Sequence, residues 1–239
     1  AANARTRVRT RELSMISKLP SWVWTGAWLL AFVAGMVNVA GLLGFDRHSI
    51  THHTGNTSLL AEALARGNLA EMGQVAAIIA AFVVGCALSG YLVQDSTLQL
   101  GRRYSVALLL AAVLLASAVP LLQSRSNLGM VLAAGACGLQ NAMVSAYSGA
   151  VVRTTHLTGM FTDLGIFLGH ALRGLPVDRR RLKLCISVIG GFLCGSFAGA
   201  IAFDRLGFAS LYFPAALTAC AAIAYAAYRM RLRRQRIAD

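Results

Sequence analysis

Thr51-His52-His53-Thr54-Gly55-Asn56-Thr57-Ser58 interrupts an otherwise apolar run of chain, and its reading decides the fold. Before it, residues 22–45 contain no Lys, Arg or acidic residue until the chain reaches Asp46 and Arg47. After it comes an apolar helix over about residues 54–66. The second half of the chain holds a similar passage: Arg153-Thr154-Thr155-His156, then Leu157-Thr158-Gly159 and a short helix over about 157–172. A helix needs roughly 20 apolar residues to cross the hydrocarbon core, and neither short helix has them. Non-helical backbone is tolerated at membrane depth only where protein buries it or a watery cavity wets it. The two polar passages therefore predict re-entrant helices that begin inside the membrane. The alternative, in which both short helices cross, stays open at this level.

The flanking chain is membrane-like throughout. Hydrophobic residues make up 57% of the 239 and charged residues only 13%, against about 25% charge in soluble domains. Full spans are expected at about 22–45, 72–94, 104–123, 128–150, 182–203 and 206–228. Trp22, Trp24 and Trp28 stand at the start of the first span, as an interfacial aromatic belt does. The expected fold is an all-α, polytopic transmembrane helix bundle of six full spans plus two short re-entrant helices.

The net charge is +13. Nucleic-acid binding is one source of such an excess. Here the charges gather in the arm 1–20, the loop 173–183 and the tail 229–236, outside the apolar runs. That placement fits the positive-inside rule and no nucleic-acid partner. With re-entrant short helices, 18 of the 22 Lys and Arg fall on the cytoplasmic side; with crossing ones, 17 do. Both arrangements put both termini in the cytoplasm, so charge does not separate them. The first apolar run is too long for a signal peptide and no small-residue cleavage site follows it, so it reads as an uncleaved span. Cys86, Cys137, Cys185, Cys194 and Cys220 lie in or beside apolar segments without a CxxC pair, and read as small hydrophobes.

The order of long span, polar passage, short helix, long span, long span occurs twice. Gly35 matches Gly138 and Asn38 matches Asn141; with one gap, Thr51-His52 matches Thr155-His156 and Thr54-Gly55 matches Thr158-Gly159. Ala81, Gly85 and Ser89 correspond to Gly191, Gly195 and Gly199, small residues four apart that let helices approach closely in lipid. The chain thus divides into a basic arm (1–20), two membrane repeats (21–125 and 126–229) and a basic tail (230–239). Re-entry of both short helices inverts one repeat relative to the other.

On Gly35-x-x-Asn38-x-Ala40 leading to His53-Thr54-Gly55-Asn56, and on Gly138-Leu139-Gln140-Asn141-Ala142 leading to His156-Leu157-Thr158-Gly159 with Asp163 beyond, the chain resembles the YoaK-like family of bacterial inner-membrane proteins. The resemblance spans about 22–228. It implies a multi-pass protein of the bacterial inner membrane grouped with small-molecule transporters of unassigned substrate. The family often carries an acidic residue where Asn38 stands, a departure that bears on any proton- or cation-linked role of that position.

Paired short segments interrupted by Gly are the sequence pointer to a transporter site, because a helix start inside the membrane aims free N–H groups and a positive dipole end at its surroundings. Thr54 and Thr158 read as N-caps. Gly55 and Gly159 allow close approach of a ligand. The expected site joins Thr54, Gly55, Asn56, Thr158 and Gly159 near the midplane, with Asn38, Gln140 and Asn141 either lining it or hydrogen-bonding between helices. His52, His156 and Asp163 are candidates for a proton or charge relay; His48 and His53 read as solvated loop histidines. Glu62 reads as reaching the interface. His156, Asp163 and His170 share a helix face, but successive members lie about 10 Å apart, too far to clasp one ion. No cofactor is implied. The expected function is a transporter or channel for a small polar or anionic solute, with the bilayer as its other partner. The alternatives are an intramembrane hydrolase, for which no nucleophile–base motif is present, and a scaffold subunit. Small-residue faces suit a homo-oligomer and the inside of one bundle equally.

Overall fold

The computed structural model describes residues 21–44, 49–93, 102–147 and 154–238. The basic arm 1–20, His48 and Arg153 lie outside the described residues. The described chain is helical, with no strand: α1 (Ser21–Gly44), α2 (His53–Ala65), α3 (Leu69–Leu92), α4 (Arg102–Gln123), α5 (Asn127–Tyr147), α6 (Leu157–Leu172), α7 (Arg179–Leu206), a 3-10 turn (Gly207–Leu211) and α8 (Tyr212–Ala238). Five stretches are long and apolar enough to cross a membrane, the last of which, Arg179–Arg231, contains both α7 and most of α8. This is a multi-pass membrane protein. The segment 230–239, expected as a tail, continues α8 as far as Ala238.

Local sequence sets the helix ends. Both short helices stop the same way. Arg66-Gly67 and Arg173-Gly174 end α2 and α6, and both glycines take a left-handed φ of 66°. The next amide reaches back to the last turn, Asn68 N–H to Ala63 O and Leu175 N–H to His170 O, each at 2.9 Å. This is the Schellman stop, for which Gly has no steric penalty. Asn68 then caps α3, accepting from the Glu71 amide at 3.2 Å, and Asp178 caps α7 by accepting from the Arg180 and Arg181 amides.

Tertiary packing interleaves the two halves. α1 lies along α7, and α3 lies along α5. On α7, Gly191, Gly195 and Gly199 meet the backbones of Trp28, Phe32 and Met36 in that order, so α1 and α7 run parallel. A Cβ at Gly195 would overlap the Phe32 carbonyl, and one at Gly35 would overlap the Phe192 carbonyl. The other pair repeats these contacts: Gly85 against the Gly135 carbonyl, Gly138 against the Phe82 carbonyl. Even the hydrogen bonds correspond. Ser196 Oγ donates to Gly35 O at 3.3 Å, and Cys86 Sγ donates to Gly138 O at 3.3 Å. In lipid no water drives helices together, so contact made possible by missing side chains carries the association.

Two buried clusters occupy opposite ends of the bundle. One gathers Leu30, Tyr104, Met143, Leu184 and Val93; the other gathers Val37, Ile78, Leu122, Met130 and Leu211. The second end holds the last turns of α1, α4 and α7 and the first turns of α3, α5 and α8; there Arg125, just past α4, donates to the Gly44 carbonyl at 3.1 Å. α1 therefore finishes at the end where α3 begins, and α5 finishes where α7 begins.

Candidate functional site

Asn38 lies six residues before the last residue of α1, about 9 Å in from its end. Its side-chain oxygen accepts from Thr51 Oγ1 at 2.8 Å, from Ser49 Oγ and from the Thr51 amide at 3.4 Å. These bonds draw the chain back into the bundle after α1 and start α2 there. Ser49 Oγ in turn accepts the His52 amide at 2.8 Å, and the Ser49 carbonyl accepts from Asn56 Nδ2 at 2.7 Å. All four of Asn38, Ser49, Thr51 and Asn56 are buried. Asn141 lies six residues before the last residue of α5 and accepts from Thr154 Oγ1 at 3.3 Å. The bond from Thr154 to Asn141 resembles that from Thr51 to Asn38, each across thirteen residues.

His52 and His156 are the residues that precede the first turns of α2 and α6. Thr54 and Thr158, expected as caps, stand in the second helical position instead, with exposed side chains. Each histidine ring lies over the glycine three residues on: a Cβ at Gly55 would sit 3.4 Å from His52 Nδ1, and one at Gly159 would overlap the His156 ring. At Gly159 the missing side chain makes room for the histidine ring, whereas at Gly55 a Cβ would make ordinary van der Waals contact with it.

α2 packs on α3 and α6 on α7, and α2 and α6 do not touch each other. Thr54-Gly55-Asn56 and Thr158-Gly159 are therefore two separate places, where the sequence led to one joint site. The reason is the interleaving: each short helix follows the long helix after it, and α3 and α7 belong to different helix pairs. Gln140 is buried and donates to the Leu30 carbonyl at 3.5 Å, bridging α5 to α1. Asp163 pairs with Arg181 of α7 through two oxygens, at 3.0 and 3.2 Å to Oδ2 and 3.4 Å to Oδ1. It also lies away from the Asn38 cluster. Glu62 pairs with Arg66 at the exposed end of α2.

His53 departs from expectation. It is half-buried, its ring centroid 4.1 Å from that of Phe82, with both ring nitrogens shielded from solvent. The polar passage alone suggested a solvated loop; the return of the chain to Asn38 is what buries it. Among the described residues, no group of three or more His, Cys, Asp or Glu side chains is arranged to hold a metal ion.

Between α1, α4 and α8 lies a cavity of about 320 Å³, lined by Gly26, Leu29, Leu30, Tyr104, Tyr225 and Tyr228 among others. None of the residues singled out in the sequence lines it. The signal that could have drawn notice to it is the trio of tyrosines Tyr104, Tyr225 and Tyr228 beside apolar stretches of α4 and α8.

The chain belongs to the DUF1275 family of proteins of unknown function, whose model matches residues 26–224. No curated protein and no solved structure matches it.

Proposed function

We propose that the protein is a small-solute transporter of the bacterial inner membrane, built from two inverted repeats, with six spans, two re-entrant helices and both termini in the cytoplasm. The observation that carries this reading is the interleaved packing. Gly35 and Gly138, with their bonds from Ser196 and Cys86, make the same contacts in helix pairs drawn from opposite halves. Inverted repeats with interrupted helices are the construction of many secondary transporters, in which one unit rocks against the other. Support for re-entry comes from the Asn38 and Asn141 anchors and from the shared ends of α1 with α3 and of α5 with α7. The step from architecture to transport is one of fold-level analogy.

An anion held between two facing helix starts does not suit this geometry, since α2 and α6 are apart. The solute class must come from another part of the bundle. The test is efflux from liposomes loaded with a defined mixture of small organic solutes, followed by mass spectrometry of what each vesicle population loses. Selective loss of one solute class, absent from protein-free vesicles, is the expected result. Loss indistinguishable from that of protein-free vesicles across the mixture would sink the transport reading and favour a scaffold subunit.

A further inference from the structure

Two glycines at corresponding places in the halves are packed differently. Gly26 stands nine residues before Gly35, and Gly129 nine residues before Gly138. At Gly129, α4 closes onto α5 so tightly that a Cβ would meet Leu122 Cγ at 2.7 Å and the Leu122 amide nitrogen at 2.8 Å. Leu122, Val119 and Ala118 of α4 are fully buried there with Met130 and Ala133 of α5. At Gly26 a Cβ would meet nothing within 4 Å. The helix corresponding to α4 in the second half is α8, and it stands off α1; the gap between them is the 320 Å³ cavity. Corresponding surfaces are sealed at one end of the bundle and open at the other.

We infer that this cavity is the solute vestibule in its open state, that it takes an uncharged, largely apolar organic molecule, and that it closes when α8 seats on Gly26 as Leu122 of α4 seats on Gly129. The inference rests on the transport reading above and names its solute class. The volume is that of an ordinary small-ligand pocket. Its walls are hydrocarbon and tyrosine, with no charged side chain among the lining residues. An inorganic ion would lose its hydration there without replacement, whereas a ring or short hydrocarbon body would bury apolar surface against Leu29, Leu30 and the rings of Tyr104 and Tyr225, which already meet edge to face at 5.3 Å. Missing side chains at Gly26 and Gly129 give each end a seat, and an inverted pair of seats can be filled alternately.

The experiment uses the full chain in liposomes, with the five native cysteines replaced and one reporter at a time, Leu29→Cys in the vestibule or Leu132→Cys beside Gly129. Maleimide reaction rates are measured with and without Gly129→Leu or Gly26→Leu. Gly129→Leu should force α4 off α5: the Leu132→Cys rate should rise about tenfold and the Leu29→Cys rate fall by a similar factor, as in a two-state exchange. Gly26→Leu should do the opposite. Indole, an uncharged planar probe, should protect Leu29→Cys, and inorganic phosphate should not. A rise at Leu132→Cys with Leu29→Cys unchanged would overturn the alternation. Protection of Leu29→Cys in liposomes but not in detergent, whatever the probe or variant, would mean that a lipid tail fills the cavity and would overturn the solute site. If a leucine variant fails to purify as a single species, Gly129→Ala and Gly26→Ala carry the same expected directions at smaller amplitude. Solute efflux in the same vesicles separates the two readings: efflux without reciprocity removes the vestibule and keeps transport, and reciprocity without efflux removes transport and keeps the moving cleft.

Discussion

The side-chain oxygen of Asn38 accepts the hydroxyl of Thr51 at 2.8 Å, thirteen residues on and across a reversal of the chain. That oxygen also serves Ser49, so one amide holds the start of α2 inside the bundle. Asn38→Ala would leave two buried hydroxyls without their acceptor, at a cost of about 1–3 kcal/mol. Thermal denaturation in detergent should show the loss. Asn38→Asp, which keeps an acceptor, should cost less. Asn141→Ala should be milder than Asn38→Ala, because Asn141 holds Thr154 alone among the described contacts, at 3.3 Å. Equal losses at the two positions would count against the anchoring role.

Gly195 and Gly190 lie on one helix and should respond oppositely to the same methyl group. Gly195→Ala drives a Cβ into the Phe32 carbonyl, and overpacking of this kind costs about 1–3 kcal/mol or more. Gly190→Ala meets nothing within 4 Å and should gain about 0.5–1 kcal/mol of helix propensity. Fluorescence-detected size exclusion after heating reads both. Matching behaviour would mean that the α1–α7 contact is not what holds the halves together.

The Asp163–Arg181 pair is partly exposed, with side-chain exposures of 25% and 37%. As a purely structural bridge it should show a coupling of about 0.2–1 kcal/mol in a double-mutant cycle of Asp163→Asn and Arg181→Gln. If Asp163 instead relays charge, Asp163→Asn should change the pH profile of solute efflux while stability moves little. An unchanged profile would leave Asp163 as a bridge between α6 and α7.

Leu69 at the start of α3 and Leu175 after α6 are both exposed, at 72% and 43%. In cysteine-free protein, the proposed re-entry of α2 and α6 requires Leu69→Cys and Leu175→Cys to label from opposite faces of a sealed vesicle. Labelling from the same face would overturn the proposed inversion of the halves in favour of the eight-span arrangement.

Much of the local structure was readable in advance. The short helix expected over about 157–172 is Leu157–Leu172, and the one expected over about 54–66 is His53–Ala65. Other residues stand in the expected segments but take different roles there. Thr54 and Thr158 look like caps because capping is a local preference, yet the chain enters each helix two residues earlier, through His52 and His156. His53 sits in a polar passage, and only the fold-back onto Asn38 reveals that its ring faces Phe82.

The sequence by itself determined that the chain lives in lipid as a multi-pass helical protein and roughly where each helix begins and ends. In a membrane these follow from apolar length, charge placement and Gly stops, all of which are local. The tertiary structure alone decided which helices pair. Every long helix offers an apolar face, and in lipid one such face is as good as another until backbones can touch. The glycines at positions 35, 85, 138 and 195 could have met any neighbour. Their seating on the opposite half separates the two short helices and leaves Gly129 covered while Gly26 faces an open cavity.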